Sequence, residues 1–286
     1  MKCLLGLFLA ISISVSAQDP LAYKWFSATG KKSSFEQLVQ ATAKADIVFF
    51  GELHDDPIAH WMQLLLAQRM QQSTTGNFIL GAEMFERHQQ LAVNHYLSGE
   101  WTEEMLMDSS KMWSNFETDY LPLLRYAKEM KIPYVASNIT RKYATMVFKK
   151  GLVSLDSLPT EEKSLMCPLP FPMDTTLSQY KELIKMGMEM HSNGLNFALS
   201  QAIKDATMAF SILEYWQAGK QFLHLNGSYH SDFHQSIVWY LLQKNPDLKI
   251  VTISTVMQDN VKKLESEYYN KADFILVVPN GMTRTM

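Results

Sequence analysis

Cysteine is scarce: Cys3 and Cys167 are the two in 286 residues. Cys3 falls in a stretch that reads as a cleaved leader, so the mature chain holds no intramolecular disulfide and its core rests on packing. Cys167 lies between Met166 and Pro168, with no histidine or basic residue within two positions, which reads as an inert thiol. Blocks of like charge are also missing, and 26 basic against 29 acidic side chains leave a net charge of −3. Such a chain offers a phosphate backbone nothing to bind, which excludes nucleic acid as a partner. Past residue 17 no run approaches the ~18 apolar residues of a membrane helix, and no internal repeat is present. The C-x-x-C-H, G-x-S-x-G, H-E-x-x-H, Walker and G-x-G-x-x-G patterns are all absent. Covalent haem attachment, serine hydrolysis and nucleotide binding therefore lose their usual signatures.

What is present is globular in character, with 47% apolar, 19% charged and 12% aromatic residues. The first 17 residues differ: Lys2, an apolar run from Leu4 to Val15, then the small residues Ser16 and Ala17. This pattern predicts a secretory signal peptide over 1–17, cut after Ala17. The run is too short, and too interrupted by Ser12 and Ser14, to span a bilayer as an anchor. Cys3 precedes the run, so the chain does not read as a lipoprotein. The expected product is exported, periplasmic or associated with the cell surface, and residues 18–286 form a single domain.

Short apolar runs alternate with amphipathic patterns. Asp46–Phe50, Phe78–Ala82, Pro133–Ala136, Phe222–Leu225, Ile250–Ile253 and Phe274–Val278 read as about six strands. They are apolar throughout, which suits strands buried on both faces. Ile58, Trp61, Met62, Leu65, Leu66 and Met70 repeat at helical spacing after the first run, and similar patterns follow the others. The expectation is an α/β layered domain, with a mostly parallel central sheet flanked by helices. From about 151 to 195 the alternation fails: Pro159, Pro168, Pro170 and Pro172 come in quick succession, then a helical stretch from about Leu177 to Met190. This predicts an insertion over the sheet.

Ligands of open parallel sheets bind beyond the carboxyl ends of the strands. There the first strand delivers Gly51-Glu52-Leu53-His54-Asp55-Asp56, the second Glu83-Met84-Phe85-Glu86-Arg87, the third Ser137-Asn138, and the fourth Asn226-Gly227-Ser228-Tyr229-His230-Ser231-Asp232. Two of the four carry Gly-x-x-His. His54 and His230, with Glu83 or Glu52, could ligate a zinc or manganese ion or work as acid and base. The same residues also suit plainer roles, Asp55 or Asp56 as a helix cap and Glu83 paired to Arg87. His60, His88, His95, His191 and His224 stand isolated in the sequence, and His224, inside an apolar strand, reads as a satisfied core residue. Among 18 methionines, Met84, Met105, Met107, Met186, Met188, Met190 and Met208 either line an apolar pocket or fill core gaps.

With these blocks in order, the sequence resembles the ChaN-like haem-binding uptake proteins, within the superfamily that includes the Tiki proteases and erythromycin esterases. The resemblance rests on Val48–Asp55 with His60 and Gln63, Glu83–Arg87 with Gln89 or Gln90, Tyr120–Leu124, Ile132-Pro133, Ala136–Ile139, Gln201 with Lys204-Asp205 and Thr207–Ala209, and Asn226–His230. It implies an exported protein of iron and haem acquisition that binds haem, as a homodimer around face-to-face haems in some relatives, with outer-membrane uptake components as partners. It further implies haem ligation or contact by His54, Glu83, Asn138, Tyr229 and His230, with Arg87 and Arg141 on the propionates. The superfamily's hydrolases imply the alternative, catalysis by Glu52, His54, Glu83 and His230. Family members often place a glycine before the aliphatic residue that opens the next helix, where this chain has Gln235-Ser236 ahead of Ile237.

Overall fold

The structure is a computed structural model that describes residues 21–286 except Thr75 and Ser110. The expected signal peptide, 1–17, lies outside the described residues. Eight strands form one sheet: β1 (Lys24–Ser27), β2 (Lys32–Ser33), β3 (Ile47–Glu52), β4 (Phe78–Glu86), β5 (Tyr134–Asn138), β6 (Gln221–Gly227), β7 (Ile250–Gln258) and β8 (Phe274–Pro279). Their spatial order is β2-β1-β8-β7-β3-β6-β4-β5. Every strand expected from the sequence is present, and these six run parallel to one another. The expected count of six is corrected to eight by β1 and β2, which add an antiparallel edge beside β8. These two strands span four and two residues, too few for a period to register in the sequence.

The helices follow in chain order: α1 (Phe35–Thr42), α2 (Pro57–Thr74), α3 (Gln90–Ser98), α4 (Glu103–Ser109), α5 (Leu121–Met130), α6 (Arg141–Lys150), α7 (Thr160–Lys163), α8 (Ser178–Glu189), α9 (Gly194–Tyr215) and α10 (Ile237–Lys244). Side chains alternate along β3 because successive Cβ atoms point to opposite faces. Val48 and Phe50 join a core with α2, α3 and α5, whereas Ile47 and Phe49 join a second core with α6, α8, α9 and α10. The continuous apolar runs of the sequence are thus two half-cores read along one strand. Among the described residues no helix is long and apolar enough to cross a membrane. The Pro-rich segment and α8 lie against α9 and the second core.

The link from β6 to α10 is unusual. Phe233, His234 and Ser236 all have φ between +54° and +58°, and helix α10 starts at Ile237 instead of continuing the pattern from Phe233. Ser236 is buried, and its hydroxyl has no hydrogen-bond partner among the described residues. A left-handed residue with a Cβ is strained, and a buried unpaired hydroxyl adds to the cost. Ser236→Gly is expected to raise stability by about 1 kcal/mol, after allowing for glycine's greater freedom in the unfolded chain. Urea unfolding of the two proteins checks this, and a loss of stability would contradict it.

Candidate functional site

Strands β3, β4 and β6 are adjacent, so the polar residues that follow them meet at one edge. Glu52, the last residue of β3, is fully buried, with three hydrogen-bond partners and the His60 imidazole nearby. Tyr120 Oη lies 2.8 Å and His54 Nδ1 2.9 Å from Oε1, while Gln63 Nε2 lies 2.5 Å and His60 Nδ1 3.6 Å from Oε2. Burial would raise its pKa, but the imidazoles of His60 and His54 outweigh that and hold it below the ordinary glutamate value. Tyr120 reaches Glu52 from a π-helical turn, Phe116–Tyr120. The wider turn carries the phenol one position further round than an α-helix would.

Glu83 sits in β4 and is also buried. Its Oε2 accepts the Gly227 N–H at 2.8 Å, and its Oε1 lies 3.1 Å from His230 Nε2. His230 Nδ1 is 2.5 Å from Asp205 Oδ1, and Asp205 Oδ2 accepts the Tyr180 hydroxyl at 2.8 Å. Burial opposes a charged imidazole at His230, yet the two carboxylates overcome it and push the pKa up to about 10. Glu83 in turn is held far below the usual carboxylate range. His230 is thus buried between the carboxylates of Glu83 and Asp205, which favour its protonated form.

His54 stands between these two groups. Its Nδ1 is engaged by Glu52, its ring packs 4.8 Å from Trp113, and its side chain is 31% exposed. Burial disfavours the charged ring, but Glu52 and Glu83 raise its pKa overall.

The two glycines of the Gly-x-x-His pair have reciprocal duties. A Cβ on Gly51 would come within 2.7 Å of Ser228 Cα, and a Cβ on Gly227 within 2.7 Å of His54 Nε2. Each motif's glycine makes room for the other motif's turn.

The structure brings together Glu52, His54, Glu83 and His230, and sets other sequence candidates apart. Arg87 turns away from Glu83, bonding Glu214 at 2.6 Å, Ser211 at 2.8 Å and the Ser164 carbonyl at 3.2 Å, with its guanidinium over Phe210. The expected Glu83–Arg87 pair is therefore replaced by Glu83–His230, and Arg87 is committed to the insertion and α9. Tyr229 donates its hydroxyl to the Gln179 carbonyl at 2.6 Å. Burial and the nearby charges of Glu182 and Asp205 keep that phenol protonated.

Asn138, at the end of β5, is buried with an Oδ1 that has no partner among the described residues. Nearby, a cleft of about 530 Å³ is lined by Glu86, His88, Lys111, Met112, Trp113 and Arg141, among others. Asp56 Oδ1 caps α2 through the Ala59 N–H at 2.8 Å.

Asp205, Tyr180, Gln63, Asn115, Asp119 and Trp113 were not singled out as site residues by sequence reasoning, because they reach the edge from helices and turns remote in the chain. His60, isolated in the sequence, is in fact enclosed, with Nε2 3.2 Å from the His54 carbonyl and 3.3 Å from Asp119. His224 is the satisfied core residue expected, bonded to Ser137 and Asn226, and burial lowers its pKa to about 4. The methionines do not converge: Met84 and Met208 are in the cores, while Met105, Met186, Met188 and Met190 are exposed.

Among the described residues no group of three or more His, Cys, Asp or Glu side chains is arranged to hold a metal ion. Both ring nitrogens of His230 face carboxylates, Nε2 that of Glu83 and Nδ1 that of Asp205.

The model of the family described as haem-binding uptake, Tiki superfamily, ChaN matches residues 38–241. The chain belongs to this ChaN family. No curated protein sequence matches. Among solved structures, ChaN of Campylobacter jejuni, described with cofacial haem binding, aligns with a TM-score of 0.67 and 19% identity, covering 90% of this chain and 96% of that one. A succinoglycan biosynthesis protein aligns at TM-score 0.52 and 9% identity, over 90% and 94% of the two chains. A Bacillus cereus protein does so at 0.50 and 11%, over 90% and 95%. At these identities the likeness is one of fold.

Proposed function

We propose that this protein binds haem as an exported component of haem and iron acquisition, and that the haem sits at the carboxyl-end edge of the sheet. Family membership over residues 38–241 carries the reading. Bound haem brings an iron that takes an axial His, Tyr or Met, apolar faces and two propionates, and the residues at this edge fit those needs. Glu52 orients His54 through Nδ1, which leaves Nε2 as the ligating nitrogen. Trp113 and Met112 supply an apolar wall. Lys111 and Arg141 line the same cleft and have no carboxylate partner among the described residues, so both are free for propionates. The unpartnered Asn138 Oδ1 gives the edge one more polar group. Tyr229 would have to give up both its bond to Gln179 and its proton to act as the ligand, and Arg87 would have to leave Glu214. A homodimer around haem and outer-membrane uptake components as partners belong to the same proposal. Cofacial haem in the C. jejuni protein supports the former.

The test is a ferric haem titration of the exported form beginning at Gln18, followed from the Soret band to 650 nm, alongside elemental analysis. A saturable shift without stoichiometric zinc or manganese is expected, and His54→Ala should change the ligation bands while Tyr229→Phe leaves them. Loss of a tyrosinate band in Tyr229→Phe would instead put the iron on Tyr229. Absence of saturation would refute the proposal.

One observation favours a second reading, acid–base hydrolysis. The Glu52–His54 pair has the geometry of a general base oriented by a carboxylate, with a buried cation, His230, beside it. Ester turnover abolished by His54→Ala, in protein that fails to saturate with haem, would select this reading.

A further inference from the structure

Residues 282–286 lie across the turn that carries His54. Arg284 Nη1 is 2.8 Å from Asp56 Oδ2 and 3.4 Å from Asp55 Oδ1. The Thr285 N–H donates to the Asp55 carbonyl at 3.1 Å, and the Thr285 hydroxyl donates to Asp119 Oδ2 at 2.5 Å. Asp119 also accepts Asn115 Nδ2 at 2.5 Å, and the same amide donates to the His54 carbonyl at 2.7 Å. A continuous chain of bonds therefore runs from Thr285 to the backbone of His54, while Arg284 holds Asp55 and Asp56 of the same turn; Asn115 lies two residues after Trp113, the ring packed on His54.

An exposed ion pair contributes little, but this one is not exposed. Asp56 is fully buried, Arg284 shows only 19% of its side chain, and among the described residues Arg284 is the cation paired with that carboxylate. Removing it leaves a buried carboxylate with the Ala59 N–H as its chief support, an expensive state. The 53–56 turn has few bonds of its own, with Asp56 N–H to Leu53 O as its internal backbone bond. Its shape is therefore set mainly from outside.

We infer that segment 282–286 is a strap that holds the His54 turn against the Asn115–Asp119 turn, with Arg284 as a positioning residue for the His54–Trp113 wall. The strap rests on geometry alone and holds whether or not the haem reading does.

Hydrogen exchange by mass spectrometry on the full chain tests it. Arg284→Met is expected to lose about tenfold or more protection in peptides spanning 53–60 and 113–120, while strands β3, β4 and β6 keep theirs. Arg284→Lys should restore part of the loss, and Thr285→Val should loosen 115–120 alone. Unchanged exchange at both turns, or a rise spread evenly over the sheet, would overturn the strap. If Arg284→Met fails to fold, Thr285→Val decides, since unchanged exchange at 113–120 is then the refuting result. Haem titration of the same variants separates the two proposals: haem binding absent from wild type sinks the haem reading and leaves the exchange result standing.

Discussion

Glu83→Gln is expected to lower folding stability by about 3–5 kcal/mol at pH 7. The substitution keeps size and one acceptor for the Gly227 N–H, but it removes the charge and turns an NH2 donor toward His230 Nε2. What remains is a buried imidazolium at His230 with Asp205 as its one carboxylate, and an ion stripped of a partner in a dry interior is far costlier than the intact group. The pH dependence identifies the cause. The pKa of His230 is raised, from 6.5 to about 10, so its stabilising contribution is complete below about pH 6.5 and fades as pH climbs toward 10. Wild-type stability should therefore decline between pH 7 and 9.5, before the tyrosines, which burial pushes above 10, begin to ionise. The gap between Glu83→Gln and wild type should narrow over the same range, because the charge that Glu83 serves is being lost in both. Urea unfolding at three pH values settles it. A gap that stays constant with pH would mean that His230 is neutral in the folded protein.

Gly51→Ala is expected to cost about 3 kcal/mol or more, at the upper end of what overpacking does. The added Cβ meets Ser228 Cα at 2.7 Å and the Ile253 carbonyl at 2.8 Å. Both are backbone atoms, one in the turn that follows β6 and one in strand β7, and neither can swing aside. Gly227→Ala presents the contrasting case, since its Cβ meets the imidazole of His54, a side chain at the sheet edge. The ring can tilt away, at the expense of its bond to Glu52. Gly227→Ala should thus cost less stability than Gly51→Ala while disturbing His54 more, seen as a change in haem affinity or ligation bands. Equal stability losses, with the His54 environment unchanged, would refute the reciprocal packing of the two turns.

Both predictions concern residues that stood out in the sequence, and their partners show where sequence reading stops. Glu52, His54, Glu83 and His230 could be placed at one edge because strand runs are contiguous, and each strand ends where its polar residues begin. The partners of these four could not. Asp205 comes from the middle of α9 and Tyr120 from a π turn, each far along the chain from the strand end that it serves. Arg87 shows the opposite failure: sequence proximity suggested a pair with Glu83, but the guanidinium of a residue just past β4 projects toward α9, where Glu214 and Ser211 receive it.

By itself the sequence determined the layered α/β class, the six parallel strands, the family and the edge at which polar groups collect. Those follow from local periodicity and from motif order, which are written contiguously. The tertiary structure alone decided which charge faces which, that His230 lies between Glu83 and Asp205, and that each glycine serves the other motif. It also decided that residues 282–286 strap the His54 turn. Such facts depend on distances between segments as much as 229 residues apart, as Asp55 and Arg284 are. Burial then sets the strength of each interaction, and burial is a property of the packed whole.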